Sequence, residues 1–165
     1  MELYDLITEE QKVRIVNLML ENDFRFTNFV NSSSDLFYSN YAYNRNSHQH
    51  TYAIISAFKE NTEIEGLKIK EINYGLHSKM VQPELHNEKI IMHIYSKDSD
   101  TKSKIKKEYC RRYNSDNNPP IYAYILFTRG RNGRIKNIEL QLLDANANPT
   151  ESFIMYEKLK LHKSA

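Results

Sequence analysis

The hydrophobic positions of this chain change period along its length. Over residues 8–22, Val13, Val16 and Leu20 recur at helical spacing, and Ile15 and Met19 widen the stripe. Thr8 stands where an N-cap belongs and Gln11 where a capping box places its glutamine. Glu9 and Glu10 occupy the positive end of the helix dipole. The spacing predicts a helix over 8–22. Residues 23–46 show no period and predict an irregular segment with Phe24, Phe26, Phe29, Phe37, Tyr38, Tyr41 and Tyr43 in it. Such a segment reads as an aromatic layer packed on a sheet, with a base-stacking or ligand surface as the alternative. Ser47 is a good N-cap for a second helix, whose face would be Ala53, Ile54, Ala57 and Phe58 and whose end falls near Asn61.

After Gly66 the period shortens to two. Leu67 and Ile69 alternate with Lys68 and Lys70, which predicts a strand to about Tyr74. Gly75–Asn87, with Pro83 inside it, reads as a connection. Lys89–Tyr95 reads as a central strand. Asp98 or Ser99 caps a predicted helix at 100–113 with a narrow seam of Ile105, Tyr109 and Tyr113, the pattern of a surface helix. Asn114–Pro120 breaks the chain, and Ile121–Thr128 is a strong strand. Asn132-Gly133 then predicts a tight type I′ hairpin. On the returning strand Ile138, Leu140 and Leu142 share one side, with Asn137, Glu139 and Gln141 on the other. Asp144–Pro149 is a turn. Phe153–Leu161 fits helix or strand; the shared parity of Phe153, Met155, Leu159 and Leu161 favours a strand.

The predicted order is therefore α-α-β-β-α-β-β-β. Helices first and hairpin-linked strands later argue a single α+β domain over 1–165 with a mainly antiparallel sheet. Its helical part covers about 1–61 and its sheet part about 66–161. The length of 165 residues fits one domain.

Composition narrows the function classes. A single cysteine, Cys110, excludes an internal disulfide framework and a four-cysteine zinc site. The N-terminus lacks the basic and apolar regions of a secretory signal, and no stretch has the apolar length of a membrane span. A cytoplasmic protein with no membrane partner is the expectation, of a size common among small bacterial regulatory proteins. No glycine-rich phosphate loop and no Gly-x-Ser-x-Gly elbow is present.

Charge changes the picture most. Lys97–Lys136 holds 11 basic and 4 acidic residues, a local charge of +7 in a chain of net charge +2, whereas residues 1–96 hold 9 basic and 13 acidic. Lys102, Lys104, Lys106, Lys107, Arg111 and Arg112 fall on the predicted third helix, and Arg129, Arg131 and Arg134 flank the predicted hairpin. If these cations share a face, they suit DNA or RNA phosphates, with Tyr109 and Tyr113 available to stack on unpaired bases. An acidic protein partner and a merely solvated surface are the alternatives. A second class is a metal-dependent nuclease or hydrolase using Glu139 and Gln141, two residues apart on a strand, with one of Glu84, Glu88 or the histidines. The histidines His48, His50, His77, His86 and His93 show no metal-ligand spacing, so neither a metal nor a cofactor is implied. A protein–protein module docking through aromatics 37–43 or an open sheet edge is the third class.

Overall fold

The computed structural model describes residues 1–32, 49–73, 81–97 and 120–159. It opens with a 3-10 turn, Leu3–Asp5, and a long helix α1, Glu9–Ser32. A second helix includes 49–55. Six strands follow: β1 (Lys68–Asn73), β2 (Val81–His86), β3 (Ile90–Ser96), β4 (Ile121–Arg129), β5 (Ile135–Leu143) and β6 (Pro149–Glu157). They form one sheet in sequence order, antiparallel throughout except for β3 and β4, which run parallel. The fold is α+β. No helix among the described residues is long and apolar enough to cross a membrane.

The predicted capping box closes α1. Thr8 Oγ1 accepts from the Gln11 backbone N–H (3.1 Å), and Gln11 Oε1 accepts from the Thr8 N–H (2.9 Å). Gln11 Nε2 also donates to the Glu65 carbonyl (2.9 Å), tying the helix start to the turn before β1. That turn needs Gly66, whose φ is +80° and whose missing Cβ would sit 2.6 Å from Gln11 Nε2.

α1 runs ten residues beyond the expected end at 22, so the first part of the expected irregular segment is helical. The polar pair at the expected end, Asn22 and Asp23, is committed to tertiary partners. Asn22 Nδ2 donates to the Ala53 carbonyl (2.8 Å), and the Asp23 side chain is buried against His50 and β5. Tertiary bonds thus remove the competition those side chains otherwise offer the helix backbone. The buried stripe is Ile15, Val16, Met19 and Asp23; Val13 faces solvent, contrary to its expected place. Phe24 and Phe29 are exposed on the helix. Phe37, Tyr38, Tyr41, Tyr43 and the expected cap Ser47 lie outside the described residues. The second helix gives way to a turn after 55, short of Asn61; Ile54 and Ile55 within it and Phe58 beyond it are buried.

The connection expected over Gly75–Asn87 contains β2. Its sequence hides it, because Pro83 and the polar Gln82, Glu84 and His86 do not read as a strand. The β2–β3 ladder covers only Glu84–His86, so the missing Pro83 N–H falls outside that ladder. β3 and β4 lie at the expected places. Parallel neighbours cannot be joined by a tight turn, and the 24 residues at 97–120 supply the length a crossover needs. The expected helix at 100–113 lies outside the described residues.

The β4–β5 hairpin forms, with a different turn. Among the tip residues only Gly133 has a positive φ (+80°). The Gly133 N–H donates to the Gly130 carbonyl (3.0 Å) and the Gly130 N–H to the Arg134 carbonyl (2.8 Å). This is a turn over Gly130–Gly133 ending in a left-handed glycine, in place of the type I′ turn expected at Asn132-Gly133. The last segment is a strand, β6, broken in register against β5. Phe153 is half-buried and Met155 buried, but Leu159 is 87% exposed and outside the expected stripe. Leu161 lies outside the described residues.

The sheet is buried on both sides. Ile90, Met92, Ile94, Ala123, Ile125, Phe127, Ile138 and Leu140 pack with α1, the second helix and the N-terminal turn. The opposite side holds Ile91, Tyr95, Tyr122, Tyr124 and Leu126.

Candidate anion-binding site

The hairpin tip gathers basic side chains, and its geometry follows from the turn. The left-handed Gly133 reverses the chain and the register shifts between Thr128 and Arg129, so the arginines on its two arms do not all point one way. Arg131, Arg134 and Lys136 border a cleft of about 440 Å³, together with Lys158 just after β6. The Lys158 N–H donates to the Lys136 carbonyl (3.0 Å), which fixes the two lysines beside each other. Glu157 is the lone carboxylate in the lining, against four cations.

Two of the arginines are held from beneath. The Arg134 guanidinium lies 5.4 Å from the centre of the Phe24 ring, with its Nε 3.8 Å from Asp23 Oδ2. A guanidinium over an aromatic face keeps its charge and loses some freedom, which suits it to a planar or tetrahedral anion. Arg129 turns the other way. Its Nη2 donates to Thr51 Oγ1 (2.8 Å), and its guanidinium lies 5.8 Å from the Phe127 ring centre. Of the three arginines singled out in this hairpin, Arg131 and Arg134 come together and Arg129 serves the contact with the second helix.

Asp23 positions the hairpin. Its carboxylate is buried and accepts the Ile135 N–H at Oδ2 (2.9 Å), the first residue of β5, while Oδ1 lies 2.6 Å from His50 Nε2. His50 is stacked on Phe26 at 5.1 Å and meets Phe127 edge-on at 6.3 Å. One carboxylate thus joins α1, the second helix and the strand that carries the cations.

The other expected site residues separate. Glu139 is mostly buried, with one oxygen 3.3 Å from Lys97 Nζ. Gln141 follows on the same side of β5, opposite Tyr124 and Ser152. Among the described residues no three His, Cys, Asp or Glu side chains gather as a metal site. His93 and Glu84, cross-strand partners in β3 and β2, are buried as a pair 3.3 Å apart. Lys102, Lys104, Lys106, Lys107, Arg111, Arg112, His48 and His77 lie outside the described residues. Sequence reasoning missed Lys158, which belongs to the site only because β6 returns beside β5. It also missed Asp23, whose signal was a carboxylate in line with Ile15, Val16 and Met19 on an amphipathic helix. Comparison with family models, with curated proteins and with solved structures found no match, so the functional reading rests on this chemistry.

Proposed function

We propose that this protein binds nucleic acid, taking the phosphate backbone in the cationic cleft beside the β4–β5 hairpin. The observation that carries the reading is the convergence of Arg131, Arg134, Lys136 and Lys158 on one cleft with a single carboxylate. Contacts of this kind position a backbone and carry no base information, so the expected binding is tolerant of sequence. The six cations from Lys102 to Arg112 belong to the same proposal on their sequence alone.

Fluorescence anisotropy of labelled duplex DNA, single-stranded DNA and RNA, titrated with the full chain, tests it. Neutralising three or four phosphates gives a log–log salt slope of about −3 on duplex DNA. The double variant Arg131→Glu/Lys158→Glu flattens that slope and weakens binding on every sequence, while Lys59→Glu, on a distant exposed turn, does not. Absence of binding at ~50 mM salt, or an unchanged slope in the double variant, overturns the reading. Lys106→Glu/Lys107→Glu/Arg111→Glu reports separately whether the sequence-adjacent cations take part.

A further inference from the structure

Phe24 follows the buried Asp23 on α1 and leaves 51% of its surface exposed. A lone exposed aromatic is ordinary on a protein surface. This one carries the guanidinium of Arg134, 5.4 Å from its ring centre, and Arg134 borders the hairpin cleft. The Arg134 side chain is itself 40% exposed, so a ring and a guanidinium are offered to solvent together. Both are flat groups, and both stack on the face of a nucleobase.

The lysines of the cleft turn the same way. Ile138 and Tyr156 pair across the β5–β6 ladder, on the side of the sheet that packs against α1. Lys136 stands two residues before Ile138, and Lys158 two after Tyr156. Strand alternation therefore brings both lysines to the α1 side, where Phe24 and Arg134 meet. Glu157 pairs with Asn137 and, by the same alternation, points to the opposite side. Asp23 is committed to the Ile135 N–H and to His50. Glu21, exposed three residues before Phe24, is one negative charge against those of Arg134, Lys136 and Lys158. A duplex keeps its base faces stacked inside and can give this surface phosphates alone. An unpaired strand can give it a base as well.

We infer that the cleft takes an unpaired nucleic-acid strand, with one base stacked on the Phe24–Arg134 pair and the phosphates beside it on Lys136 and Lys158. The inference rests on the phosphate-binding reading above and adds the base to it. Every base has a π face, so this contact keeps the binding tolerant of sequence.

Fluorescence anisotropy of the full chain with four labelled probes of about twelve nucleotides tests it. They are oligothymidylate, oligouridylate, an abasic strand that keeps the phosphates and lacks the bases, and a duplex. A base-bearing single strand binds about tenfold more tightly than the abasic strand, the worth of one stacked base. Phe24→Leu, at an exposed position, removes that preference and leaves the affinity for the abasic strand and the duplex unchanged. Phe24→Tyr keeps the ring and the preference. The base-bearing strand with the larger loss in Phe24→Leu tells DNA from RNA as the source. Equal affinity for the base-bearing and abasic strands, or a preference that survives Phe24→Leu, overturns the inference and leaves the phosphate reading standing. A Phe24→Leu protein weakened equally on all four probes also overturns it, because that is the mark of a structural role. Failure of every probe to bind at ~50 mM salt overturns both readings.

Discussion

The two faces of the sheet are equally dry and differently made. Towards α1 the strands present Met92, Ile94, Ala123, Ile125 and Leu140, all fully buried and all without a polar atom able to accept or donate a strong hydrogen bond. On the other side Glu84, His93, Tyr95, Tyr122 and Tyr124 are buried just as deeply. Tyr95 and Tyr124 meet edge to face at 5.1 Å, and Glu84 faces His93 across the ladder. One face is held by area removed from water and by close packing, which are additive and forgiving of shape. The other depends on polar atoms keeping their partners, because a buried polar group that loses one is penalised by its full desolvation. Stability is therefore expected to respond to volume on the first face and to hydrogen-bond completeness on the second.

The largest effect tests the first half of that contrast. Ile125, at the centre of β4, has no exposed surface. Ile125→Ala removes buried methyl and methylene groups and leaves a cavity, a loss of about 2–5 kcal/mol in urea denaturation. Ile125→Leu conserves volume and stays under about 1.5 kcal/mol. Equal losses from the two substitutions would mean that shape, not area, governs this face.

The α1 side has polar inclusions of its own, and Asp23 shows what the second rule means when placed among aliphatics. Asp23→Ala strands two buried donors or acceptors at once, the Ile135 N–H and His50 Nε2. About 3 kcal/mol is expected, because breaking a buried polar pair leaves its partner desolvated. Since Ile135 opens β5, the same variant is expected to loosen the hairpin. Glu84→Gln on the opposite face keeps an oxygen opposite His93 and is limited to about 1 kcal/mol. If Glu84→Gln proves as damaging as Asp23→Ala, the charge itself matters on the tyrosine face, and the account by hydrogen-bond completeness fails.

The aliphatic face was more readable in advance than the polar one. Alternation on β5 named Ile138, Leu140 and Leu142 as inward, and the capping box at Thr8 and Gln11 named the start of α1. These signals are local: a strand side or a helix end carries its own pattern. β2 escaped because Pro83 and its polar neighbours suppress the pattern, and its strand character comes from pairing with β1 and β3. The continuation of α1 through Asn22 and Asp23 escaped because their partners, Ala53, His50 and Ile135, are distant in sequence. The site divides the same way. A local excess of positive charge pointed to Arg131 and Arg134. That Arg129 turns to Thr51, and that Lys158 joins Lys136, follow from packing that no local pattern encodes.

An exposed network sharpens the contrast at its small end. At the N-terminus the Tyr4 hydroxyl donates to the Glu9 carboxylate, and Lys12 Nζ lies 3.0 Å from Glu9 and 3.2 Å from the Tyr4 oxygen. The Tyr4 hydroxyl first, and then the Lys12 ammonium, hold the Glu9 carboxyl below the usual glutamate range. A carboxyl depressed in the folded state stabilises above its unfolded-state value, and that contribution disappears as the pH falls through the folded one. Lys12 is shifted the opposite way, upward, mainly by the same hydroxyl. Its contribution is complete below the ordinary lysine range and is lost only as the pH rises past it. Tyr4→Phe should therefore lower the thermal midpoint slightly at pH 7, with the difference from the parent closing as the pH drops below the ordinary glutamate value of about 4.3. The network is solvent-exposed, so added salt should shrink the difference as well. A Tyr4→Phe effect at pH 7 as large as that of Glu84→Gln, or one that persists at pH 3, would show that burial is not what separates the polar contacts of this protein into strong and weak.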